Sequence, residues 1–202
     1  MELSMAPPSE AASKTRTSVF VGVLLYSALV VFACRALDET AIRLALRAQG
    51  RLSFALFWLA LSGSGLSRWW RGDATEWLVR ERAALVQSFA ISHLCHGVWV
   101  VLFFWLTPHT FICNLFDGSG ASTFILLIPL LALSLPKVRQ RLAHRASALE
   151  SVILGYCWLQ FFGFFIDRLS AGRPDLRPWY YLAIALSLAS ATLALTTRLR
   201  KS

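Results

Sequence analysis

The sequence predicts an all-α integral membrane protein, a six-helix bundle with both termini cytoplasmic. Three observations carry that expectation. Of 202 residues, 56% are hydrophobic and only 15% charged, with a mean hydropathy of +0.57, whereas a soluble domain carries about 25% charged residues to cover its surface. Six apolar runs approach the length of about 20 residues that a helix needs to cross about 30 Å of hydrocarbon. The 20 basic residues fall mostly between those runs, where they orient a membrane protein. The same composition excludes a disordered chain, a secreted disulfide scaffold and an ordinary cytosolic enzyme. The net charge of +9 is no nucleic-acid signature, because the Lys and Arg are not gathered on a folded polar surface.

Residues 1–17, with Pro7, Pro8 and scattered Ser and Ala, are read as a disordered cytoplasmic tail, and 18–199 as one transmembrane domain. A cleaved leader is rejected because the first apolar run is too long and Cys34-Arg35 is no small-residue cleavage site. The first span is Ser18 to Cys34. The segment Arg35 to Arg51 sets Leu37, Ile42, Leu44 and Leu46 among Arg43 and Arg47; it is either a short interfacial helix or a plain connecting loop. Leu52 to Ser67 is the second span, closed by Trp69 and Trp70 in the place of an interfacial aromatic belt. Ala83 to Leu106 is the third and longest. Ala121 to Pro136 is short and contains Pro129, so a kinked or tilted fourth helix is expected. Leu149 to Ile166 and Trp179 to Thr197 complete the set.

Counting basic residues by loop fixes the direction. Lys14 and Arg16; Arg68, Arg71, Arg80 and Arg82; Lys137, Arg139, Arg141 and Arg145; and Arg198, Arg200 and Lys201 lie on one side. The other side holds Arg35, Arg43, Arg47, Arg51, Arg168, Arg173 and Arg177. The first side is therefore cytoplasmic, and the predicted location is the cell's inner membrane, multi-pass, N-in and C-in.

Ionisable groups inside apolar runs are costly, so they are the first places to look for function. His93 and His96 lie three apart in the third span and share one helix face. Neutral imidazoles bind Zn, Cu or haem iron, and two on one side can share an ion but cannot take opposite axial positions of one haem. The alternative is that both are interhelical packing glue. A second axial ligand has to come from elsewhere, and the remaining histidines are His109, in the outer loop, and His144, in the inner basic loop before the fifth span. Glu150 is expected to pair with Arg145 or Arg141 or to cap its helix. Gln160, among Trp158, Phe161, Phe162, Phe164 and Phe165, is either an interhelical hydrogen-bonder or the lining of a cofactor pocket. Cys34 and Cys113 both fall on the outer side, where a bridge between them is open, with free thiols as the alternative. No phosphate loop, dinucleotide fingerprint, nucleophile elbow or zinc-protease motif is present in the sequence.

Four short motifs resemble those of the six-helix ferric-reductase-like transmembrane family, most closely its small bacterial haem-binding subunits that pass electrons to a periplasmic methionine sulfoxide reductase. They are Arg47 to Leu56 at the head of the second span, Arg80-Glu81-Arg82 followed by His93, Arg139 to Arg145 with His144, and Asp175 to Tyr181 before the last span. The resemblance implies a membrane-embedded b-type haem electron-transfer subunit. It implies His93, or His96 one turn on, and His144 as haem-iron ligands, with Gln160 near the cofactor. Electrons would come from a quinone or from a flavin-bearing partner and leave to a periplasmic or cytoplasmic redox partner. The family's further histidine on the fifth helix would fall near Cys157 or Gln160, where this chain has none, and Ser62-Gly63-Ser64-Gly65 stands where the family has Arg and Pro. Three outcomes follow: ligation by His93 or His96 with His144, a changed ligand such as Cys157, or loss of haem. A haem-less interaction or scaffold subunit of the same fold, or a metal-ion site or transporter using His93 and His96, are the alternatives.

Overall fold

A helix satisfies every backbone N–H and C=O within an apolar run, and the computed structural model is helical along its apolar runs. It describes residues 10–33, 38–107, 119–170 and 177–199, and among these there is no strand. The helices are α1 (Glu10–Ala33), α2 (Glu39–Trp69), α3 (Asp73–Arg80), α4 (Arg82–Leu106), α5 (Ser119–Ser134), α6 (Pro136–Leu142), α7 (His144–Ser170) and α8 (Arg177–Leu199). Among the described residues three stretches are long and apolar enough to cross a membrane: Arg82–Leu106, Arg145–Ser170 and Arg177–Thr196. Shorter apolar stretches lie in α1, at Ser18–Phe32, and in α5, at Ser122–Ser134. Large apolar side chains face outward on these helices, including Leu29, Trp105, Ile125 and Val152, each more than 60% exposed. A continuous apolar exterior of that kind marks a surface meant for lipid or partner protein.

The largest departure from the sequence reading is α2. The segment from residue 38 to Arg51 is neither a loop nor a separate interfacial helix; it is the first part of a single 31-residue helix. The reason is visible in the buried positions Ile42, Ala45, Gln49, Ser53, Leu56 and Ala60, which continue one stripe at three- and four-residue spacing straight past Arg51. Arg43, Arg47 and Arg51 occupy another face at four-residue steps, so averaging over all sides hid the apolar one. Asp38 caps this helix by accepting from the Ala41 N–H at 2.7 Å, and Arg43 pairs with Glu39 one turn behind it. Arg43 also lies over the Phe103 ring at 4.7 Å and Arg51 over Trp179 at 5.1 Å.

Smaller corrections concern the fourth and fifth runs. Pro129 is accommodated inside α5, which runs on to Ser134. Pro136 belongs to the next element, where it opens α6 at a position that needs no N–H. The basic segment is thus a short helix rather than a loop. Ala143, with φ of 40°, turns the chain, and His144 is the first residue of α7.

α2 and α4 run antiparallel and form the centre. Phe54 and Phe57 of α2 meet Phe89 of α4 and Phe161 and Phe165 of α7, with ring centroids 4.9 to 6.1 Å apart. α8 is tied on by two indoles: Trp58 donates to the Leu186 carbonyl and Trp158 to that of Ser187, both at 2.9 Å. Ser122 of α5 and Tyr156 of α7 join by their hydroxyls.

At the charged end, Glu150 is buried and receives Arg82, and Arg139 at 3.3 Å. These replace the expected partners Arg141 and Arg145, both of which are exposed. The cause is that α7 turns Glu150 toward the start of α4.

Close packing of α2 on α8 yields a direct test. A Cβ on Gly65 would lie 2.6 Å from the Leu193 Cβ, whereas one on Gly155 would meet nothing within 4 Å. Alanine gains about 1 kcal/mol of helix propensity over glycine, while forced overpacking costs about 1–3 kcal/mol. Gly155→Ala is therefore expected to raise the melting temperature and Gly65→Ala to lower it, as read by thermal denaturation in detergent.

Candidate functional site

The site is built on α4. Its 3.6-residue turn sends Ser92 and His96 toward α2 and swings His93 toward α5 and α7. The His93 and His96 rings face each other at 5.4 Å and 25°. Phe124 of α5 lies parallel to His93 at 5.1 Å, Phe161 of α7 meets it edge-on at 5.3 Å, and Phe89 flanks it at 5.6 Å. His96 packs on Gly50, where a Cβ would come within 3.4 Å of the ring. The Nδ1 atoms of His93 and His96 are both buried without a hydrogen-bond partner. An unpartnered buried polar group costs about 1–3 kcal/mol, so this end of each ring is unusual unless something binds it.

Beside the imidazoles lies a polar layer that the sequence reading missed. Gln49 is fully buried, and its Nε2 donates to Ser27 Oγ at 3.1 Å and to Ser92 Oγ at 3.1 Å, with the Ser92 carbonyl at 3.2 Å. Ser53 Oγ donates to the Gln49 carbonyl at 2.9 Å and lies 2.9 Å from Ser92 Oγ. With the Ser53 proton already committed, Ser92 is the donor in that last contact. The chain of donation runs from the Gln49 amide to Ser92, to Ser53 and back to the Gln49 carbonyl. Ser27 passes its own proton to the Val23 carbonyl at 2.9 Å. Each hydroxyl is satisfied, but the Gln49 Oε1 is not. The signal that would have found this layer is the unbroken α2 periodicity: Gln49 and Ser53 stand one turn apart, as do Ser92 and His96.

The sequence-predicted residues separate into two groups. His93 and His96 are brought together. His144, at the start of α7, lies seventeen residues before Phe161, the α7 residue that touches His93; at about 1.5 Å per residue that is about 25 Å along the helix. Gln160 is half-buried and adjacent in sequence to Phe161, which turns it about 100° around α7 from the contact with His93. Cys157 is fully buried in the main core. Cys34, Cys113 and His109 lie outside the described residues.

A b-type haem clamped by histidines on two helices does not fit this donor set, because α7 presents Phe161 opposite His93 and His144 is far away. Each ring nevertheless keeps a buried nitrogen, Nδ1, without a hydrogen-bond partner. Among the described residues no cluster of three or more His, Cys, Asp or Glu is arranged to hold a metal ion.

No protein-family model, curated protein or solved structure matches the chain.

Proposed function

We propose that the chain is an integral membrane electron-transfer subunit, a six-span bundle with both termini cytoplasmic, whose His93–His96 pair would hold a b-type haem through one imidazole nitrogen. The observation that carries this reading is the buried His93 beside the half-buried His96, with the Nδ1 atom of each buried and uncommitted in an apolar bundle. The ferric-reductase-like motifs agree with it, and so does the outward apolar surface. Bound haem would supply one-electron chemistry at a fixed depth. The protein's part is to hold one nitrogen at the iron, to wall the site with Phe89, Phe124 and Phe161, and to exclude water. Electrons would enter from a quinol or a flavin-bearing partner and leave to a redox partner across the inner membrane.

A second reading, an ion such as Zn or Cu held by the imidazoles, rests on the two neighbouring rings whose Nδ1 atoms are both uncommitted. The test is the absorption spectrum and metal content of the protein purified after growth with ample haem. The expected result is a reducible Soret band of a five-coordinate iron, converted to a six-coordinate form by added imidazole and lost in His93→Ala/His96→Ala. A colourless, metal-free protein would sink both readings, and stoichiometric Zn or Cu without haem would replace the first by the second.

A further inference from the structure

We infer that a groove on the side of the bundle between α2, α7 and α8 binds a phospholipid of the cytoplasmic leaflet through its anionic phosphate. This rests on the membrane topology proposed above and not on haem. The groove has a volume of about 240 Å³ and opens to the outside. Its inner end carries the Arg82 guanidinium with Ser64 and Ser151; farther along, Leu61, Leu154 and Trp158 form an apolar wall. Gly155 leaves open space there, since a Cβ at that position would touch nothing within 4 Å. Polar donors at one end and an apolar trough beyond them match a lipid headgroup followed by its acyl chain.

Charge selects the headgroup. Glu150 is the single carboxylate in contact with both Arg82 and Arg139, so the trio keeps one unit of positive charge. The Arg82 side chain is 34% exposed, which leaves donors of its planar fork available to a phosphate oxygen. Lipid is the source because the trough opens beside Val152 and Leu159, at 69% and 60% exposed, on the surface that faces acyl chains. Soluble phosphate would gain nothing from the apolar wall.

The experiment uses the full chain in detergent, titrated with phosphatidylglycerol or phosphatidylcholine of identical chains, with bound lipid counted by native mass spectrometry. Phosphatidylglycerol is expected to be retained about five-fold more tightly, the gain from one basic group near an anionic headgroup. Arg82→Gln, which takes the trio from one positive charge to none and leaves Arg139 on Glu150, should abolish the preference. Gly155→Leu, which fills the trough, should weaken both lipids while the protein's helicity is retained. Equal retention of the two lipids by the unaltered chain, or a preference that survives Arg82→Gln, would overturn the inference. Displacement of the lipid by an equal concentration of inorganic phosphate would overturn it in favour of a free-phosphate site. None of these readouts depends on haem, so the loss of one proposal leaves the other standing.

Discussion

Replacing His93 and His96 together by leucine is expected to make the cofactor-free protein more stable while abolishing ligand binding. Each ring buries an Nδ1 with no partner, a burden of about 1–3 kcal/mol per atom. Leucine is close to histidine in volume, so the apolar swap leaves little strain. Against that gain stand the ring contacts with Phe124 and Phe161, at 5.1 and 5.3 Å, worth about 0.5–1.5 kcal/mol each. The balance is a stabilisation of about 1 kcal/mol, or a few degrees in melting temperature. Thermal denaturation in detergent, with and without added haem, checks both halves. Added haem should raise the melting temperature of the unaltered chain by mass action and leave the double variant unmoved. If the variant instead loses several kcal/mol and haem shifts neither protein, the histidines are packing glue and the site is elsewhere.

Glu150→Ala is expected to be among the most damaging single substitutions, at about 3–5 kcal/mol. It leaves the partly buried Arg82 without its carboxylate and empties the junction where α4, α6 and α7 meet. Arg82→Ala strands the carboxylate instead and should cost nearly as much. Arg139→Ala removes only the more exposed partner, 46% accessible and 3.3 Å away, and should cost less than about 1 kcal/mol. Replacing the inner pair by Arg82→Met/Glu150→Leu should recover most of the loss, because neither charge is then left alone. The ordering of the four melting temperatures is the test. A Glu150→Ala variant as stable as the parent would mean that the ion pair holds nothing together.

The sequence made the helical class legible, since α4, α7 and α8 are each apolar over a full membrane length. It also singled out His93 and His96 from residue type and spacing alone. What it hid has physical causes. α2 carries its apolar stripe beneath three arginines, so its average hydropathy is that of a connecting segment, and Gln49 was placed outside the bundle with it. The partner of Glu150 lies 68 positions away in Arg82, a pairing set by helix packing rather than local order. Phe161 opposite His93 has the same origin: a helix-seven aromatic is legible as apolar, but its rotation toward α4 depends on the register of Phe57 and Phe89. Gly63 and Gly65 lie inside the second span as expected, and what the sequence could not show is that each permits a neighbouring side chain, Leu78 or Leu193, to come close.

The closed circuit of Gln49, Ser92 and Ser53 has a consequence for charge movement. It begins on an amide nitrogen, which does not give up a proton, and ends on a backbone carbonyl, which does not keep one. Serine hydroxyls in series can relay protons, but here both ends are blocked and the direction of donation is fixed. The layer between α1, α2 and α4 is thus an insulator for protons, although it is built of polar side chains. An electron delivered to the imidazole level would arrive through this side unaccompanied.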